Sequence, residues 1–146
     1  MGTVVSIHRV DARDAPAISL EAAPFATDVG LEGDWRSRKG RRRQITIIEA
    51  ETLAHVALAL GMQGVPSGAS RRQVVVRGVR LNDTIGKRLR IGPVLVAVEE
   101  PCDPCANMEA KIGPGARQSM EGLGGVGGRV IEGGVLRPGD PVTVAD

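Results

Sequence analysis

The hydrophobic period of this chain changes only once, and that constrains its fold more than any other feature. Short runs rich in Val and Ile recur at 3–10, 18–25, 44–48, 73–77, 87–91, 94–99, 129–132 and 141–144. Segments rich in Gly and Pro separate them, the pattern of strands and tight turns. Only at Leu53, Val56, Ala57 and Leu60 does the apolar spacing become i, i+3, i+4, i+7, one face of an amphipathic helix. The expected helix is 49–60, with Glu49 and Glu51 at its positive end and Gly61 as its stop. A second, short helix is expected at 106–112, with Met108 and Ile112 on one side. The segment 27–40 reads as a long loop.

Strands that are not interleaved with helices do not build a doubly wound parallel sheet. About eight short strands with one or two helices predict a mainly β fold, a closed or nearly closed barrel with the helices on its flank. The 20 glycines among 146 residues suit such a turn-rich chain. No repeat or linker divides it, so a single domain over 1–146 is expected.

The net charge is only +2, but six cations fall between Arg36 and Arg43, and the remainder is acidic by 4. A basic loop this local suits a small anionic ligand better than a DNA-length footprint. With Phe25 and Trp35 the only aromatics, the chain lacks the stacking platforms of single-strand nucleic-acid binders. No apolar run approaches the roughly 20 residues of a membrane span. These features predict no nucleic-acid or membrane partner, and cysteine usage predicts a cytoplasmic location.

Residues 122–127 satisfy G-x-G-x-x-G literally, but a polar stretch precedes them and a strand-like run follows, the reverse of the dinucleotide context. They read as a flexible loop. The sharpest local signal is Pro101-Cys102-Asp103-Pro104-Cys105. One pair of thiols is half of what structural zinc needs, and a thioredoxin-like pair needs a βαβ setting. Two buried free cysteines, or a soft thiolate ligand for a transition metal or sulfur chemistry, complete the alternatives. His8 and His55 carry no partner pattern. Arg71, Arg72 and Arg77 form a second, smaller basic group.

The order of these signals is more specific than any one of them. Gly30-Leu31-Glu32-Gly33-Asp34 is followed by Arg42-Arg43-Gln44-Ile45-Thr46-Ile47-Ile48 and a helix. Next come Arg71-Arg72-Gln73-Val74-Val75-Val76-Arg77-Gly78-Val79 and Gly86-Lys87 through Gly92, then the Cys pair, then Gly128-Arg129-Val130 through Pro138-Gly139-Asp140. This series resembles the MOSC family, the domain found at the C-terminus of molybdenum cofactor sulfurases, which are linked to pyridoxal phosphate. No pyridoxal-phosphate domain is expected within these 146 residues.

The resemblance implies a β-barrel that binds molybdenum cofactor, for sulfur carriage or transfer or for a molybdenum redox reaction. It implies Cys105 as catalytic thiol and metal ligand, with Arg43, Gln44, Arg71, Gln73 and Cys102 as cofactor contacts. Gln73 stands where the family has Asn, and Ala106-Asn107-Met108-Glu109 replaces the Thr-rich segment of reductase-type members. A molybdoenzyme or a sulfur-donor protein is the implied partner. The alternative function is a non-catalytic carrier or interaction module that keeps the barrel. Both Arg43 and Arg71 are expected to face the pocket of Cys105, while Arg36, Arg38 and Lys39 steer the anion.

Overall fold

The computed structural model describes residues 2–145. Eleven strands appear among them: β1 (Gly2–Val10), β2 (Ala17–Ser19), β3 (Ala23–Ala26), β4 (Gly30–Leu31), β5 (Ile45–Glu49), β6 (Val74–Arg77), β7 (Arg88–Ile91), β8 (Val94–Pro101), β9 (Val126–Glu132), β10 (Gly134–Leu136) and β11 (Pro141–Val144). Three α-helices accompany them: α1 (Ala50–Leu60), α2 (Ala106–Ile112) and α3 (Ala116–Ser119).

The strand order β11-β7-β8-β9-β5-β6-β1 closes on itself because β1 also pairs with β11, with β2 appended to β1. The result is the expected barrel, with seven strands in its wall. Every pair in the wall is antiparallel except β5–β6, where Ile47–Val74 and Ile48–Val75 run in parallel register. That one pair is the one α1 connects, because parallel neighbours require a long crossover. A small sheet, β10-β3-β4, adds Ala23, Phe25, Leu31 and Leu136 to the same core.

Period-two alternation explains the two cores. Ile45, Ile47, Val74 and Val76 point into the barrel with Leu89, Ile91, Val96 and Val130. Ile48 and Val75 point outward, where Leu53 and Val56 of α1, Met108 and Ile112 of α2, and Met120 cover them. Strands buried on both faces read as continuous apolar runs, as 47–48 and 74–76 do.

The helix α1 starts one residue later than expected. Glu49 ends β5, and its carboxylate accepts the Leu81 N–H at 3.0 Å, while Glu51 accepts that of Gly78 at 2.9 Å. Gly61 closes the helix in the left-handed region at φ +67°. The run 18–25 is not one strand: β2 pairs with β1, whereas β3 pairs with β10 and β4. The loop 27–40 contains β4, and 126–128 belong to β9 rather than to a flexible loop. The glycines there serve close backbone approach, since a Cβ at Gly125 would collide with the Ile47 carbonyl and one at Gly128 with that of Ala97.

Candidate functional site

Strand β8 delivers the chain to Cys102, and the loop through Asp103 and Pro104 ends at Cys105, the N-cap of α2. Both thiols are free. Cys102 is buried, and its N–H donates to the Gly125 carbonyl at 2.8 Å. Burial pushes its thiol pKa up, opposed by the positive charges of Arg72 and Arg43. Cys105 is exposed, and its carbonyl accepts the Glu109 N–H at 3.0 Å in the first turn of α2. The two cysteines thus have different environments: one packs, the other meets solvent.

The cysteine loop lies against the glycine loop before β9. A Cβ on Gly124 would collide with the Cys102 carbonyl, so only glycine permits this contact. Arg72 binds the two loops together. Its Nε donates to the Gly124 carbonyl at 2.8 Å and a terminal nitrogen to the Asp103 carbonyl at 3.0 Å. The residue is 8% exposed, and burial lowers its pKa against the opposing influence of Cys102 and Cys105.

Arg43 stands nearby, its stem across Gly127, where a Cβ would approach Cγ to 2.8 Å. It donates to Glu100 at 2.9 Å and is partly exposed. Arg42 lies 3.6 Å from both Glu99 and Glu100. Acidic residues at the end of β8 therefore hold part of the basic loop beside the cysteines.

Other residues expected at the site are engaged elsewhere. Gln44 is buried, donates to Asp28 at 3.0 Å and accepts the Val130 N–H at 3.0 Å. Gln73 accepts the Thr46 N–H at 3.1 Å and donates its own N–H to the Thr46 hydroxyl at 2.9 Å. Arg71 adopts φ +64° and donates to the carbonyls of Arg13 at 2.9 Å and Ala15 at 2.8 Å. With His8 and Lys111 it lines a cleft that contains neither cysteine. The guanidinium that reaches the cysteine loop is that of Arg72.

Arg36 is likewise no free steering cation. It is paired with the buried Asp34 and donates to the Arg71 carbonyl at 2.7 Å. Arg38 and Lys39 remain exposed. No acidic residue occurs between Glu51 and Asp83, a stretch that holds Arg71 and Arg72 alike, so the sequence does not distinguish the two. No group of three or more His, Cys, Asp or Glu residues among the described residues could hold a metal ion by itself.

A model of the MOSC domain matches residues 34–143. The chain belongs to the MOSC domain family. Solved structures agree with this assignment in fold. YiiM from Geobacillus stearothermophilus superposes with TM-score 0.79 at 18% identity, covering 100% of this chain and 76% of that one. The YUAD protein from Bacillus subtilis gives 0.75 at 18% identity, covering 97% of this chain and 94% of its own. YiiM from Escherichia coli gives 0.71 at 20% identity, covering 99% and 70%. No curated protein matches the chain.

Membership of the MOSC family brings a general association with molybdenum cofactor. The match covers the MOSC domain alone, and nothing supports the pyridoxal-phosphate link for this small domain. No helix among the described residues is long and apolar enough to cross a membrane.

Proposed function

We propose that this MOSC domain binds molybdenum cofactor beside its cysteine loop and handles sulfur there through Cys105. One observation carries the reading: a free, exposed thiol sits on a loop braced by a buried arginine, with a second arginine alongside. The donor set fits the group. A thiolate is the matching protein ligand for soft, sulfur-bound molybdenum, and guanidinium groups suit a phosphate. The bound cofactor would supply a soft metal centre able to accept or give up sulfur.

The protein's part is to present and orient. Cys105 meets solvent, so a donor protein can reach it, whereas Cys102 is shielded by packing. Arg43 is partly exposed and can exchange Glu100 for an anionic ligand group. Arg72 holds the loop that carries the thiol. Gln44, Gln73 and Arg71 belong to the scaffold instead: Gln44 joins the basic loop to β9, Gln73 joins the start of β6 to β5, and Arg71 ties the segment before β6 to residues 13–15.

The second reading is a carrier or interaction module without chemistry. It is favoured by the internal hydrogen bonds that already occupy Arg71, Gln44 and Gln73. Metal and pterin content after expression in cells that make the cofactor tests cofactor binding. Molybdenum near one atom per chain that disappears in Cys105→Ser and persists in Cys102→Ser supports the first reading. Metal retained in Cys105→Ser favours the carrier, and metal-free wild-type protein refutes cofactor binding.

A further inference from the structure

Arg72 is a buried cation with an unusual set of partners. Among the described residues no carboxylate lies within ion-pair distance of it, and its hydrogen bonds end on two backbone carbonyls. A buried charge without a counter-ion is costly to retain, so its position calls for a local reason. Both acceptors lie in the loops that meet at the cysteine pair. Asp103 is inside the Cys102–Cys105 segment, and Gly124 is the glycine pressed against the Cys102 carbonyl. Among the described residues, one further hydrogen bond joins these loops directly, from Cys102 N–H to the Gly125 carbonyl.

We propose that Arg72 is the positioning residue of the cysteine site, a two-point clamp that keeps Cys102 inside and Cys105 outside by fixing the Asp103 carbonyl to the glycine loop. It deepens the cofactor reading by naming what holds the proposed thiol in place. The clamp takes its direction from the backbone of the residue before it, not from that residue's side chain. Arg71 in the left-handed region turns the chain so that the two neighbouring side chains part, one to residues 13–15 and the other to the cysteine loop. Arg36 holds that turn through the Arg71 carbonyl. A guanidinium suits the task because its planar fork presents Nε and a terminal nitrogen to two acceptors at once, which an ammonium at the same place cannot reproduce in direction.

The experiment labels the intact protein with iodoacetamide at one fixed pH and counts modification at each cysteine by peptide mass spectrometry. Wild type, Arg72→Ala, Arg72→Lys and Arg71→Ala are compared, with melting curves taken in parallel. Wild type should label at Cys105 and be protected at Cys102 by more than tenfold. In folded Arg72→Ala the two rates should converge to within about threefold, and millimolar guanidinium ion should restore the difference. That rescue is what a general loss of packing would not show.

Arg72→Lys should lie between wild type and Arg72→Ala, and it carries the same readout if Arg72→Ala fails to fold. Arg71→Ala should retain the wild-type ratio. Unchanged protection of Cys102 in a folded Arg72 variant overturns the clamp, as does equal loss in Arg71→Ala. The labelling needs no cofactor. Metal-free wild-type protein with an Arg72-dependent ratio would therefore refute the cofactor reading and leave the clamp standing.

Discussion

Replacing Asp34 with Ala tests how the basic loop is anchored. The Asp34 side chain is 0% exposed, and its two oxygens accept four hydrogen bonds: Val10 N–H at 3.0 Å, Arg36 N–H at 3.0 Å, Arg36 Nε at 2.9 Å and an Arg36 terminal nitrogen at 2.9 Å. Removing the carboxylate strands a guanidinium that is itself 19% exposed. Breaking one partner of a buried pair costs about 3–5 kcal/mol. For a domain of this size that corresponds to a melting point roughly 6–20 °C lower.

Burial raises the Asp34 pKa, but the hydrogen bonds and charge of Arg36 and the Val10 N–H outweigh it and hold the carboxyl below its ordinary 3.8. Its stabilising contribution is therefore complete above the unfolded value and is lost as pH falls through the lower folded one. Urea unfolding at pH 7 and at pH 3 measures both effects. Asp34→Ala should already show the loss of about 3–5 kcal/mol at pH 7 and a smaller further loss on acidification than wild type. The double variant Asp34→Ala, Arg36→Ala should cost less than the sum of the two single changes, because neither charge is left stranded. A single-variant cost below about 1 kcal/mol, the range of an exposed pair, would refute the anchoring role.

Further expectations follow from the same contacts. Gly124→Ala should lower stability by about 1–3 kcal/mol, as overpacking does, and should expose Cys102 to alkylation because the new methyl meets its carbonyl. Cys102→Ser should destabilise by about 1–3 kcal/mol through a buried hydroxyl, whereas Cys105→Ser at the exposed position should leave the melting curve in place. Arg43→Ala should change stability by less than about 1 kcal/mol, since its pair with Glu100 is partly exposed, yet weaken cofactor binding by about 1.5–3 kcal/mol. Lys39→Ala should alter only the association rate and its salt dependence, measured by stopped flow. A chain ending at Asp140 should lose cooperative unfolding, because β11 bridges β1 and β7.

The barrel was legible in part because β5 and β6 are buried on both faces. Ile47-Ile48 and Val74-Val75-Val76 declare themselves by composition, and Leu53, Val56 and Ala57 mark the helix that joins them. The division of 18–25 was hidden, since Phe25 belongs with Gly134, more than a hundred residues away, and no local pattern encodes that pairing. The family resemblance and the start of a short helix set Cys105 apart from Cys102, and the structure separates the two by exposure. The exchange of Arg71 for Arg72 was not legible. It turns on a non-glycine residue at φ +64°, held by a carbonyl bond from Arg36, and the sequence carries no signature of that conformation.

The pairing of β1 with β11 has a consequence for how the protein is made. Gly2 lies opposite Val142, so the wall of the barrel cannot close until both are available. At ribosomal speeds of roughly 5–20 residues per second, the 140 residues from Thr3 through Val142 take about 7–28 s to synthesise. During that interval β1 can satisfy one side on β6 but leaves the backbone of its first residues open on the other. A nascent chain in that condition is a template for strand addition by its neighbours. Yield in cells should therefore depend on translation rate and on holdase chaperones more than the stability of the finished barrel would suggest.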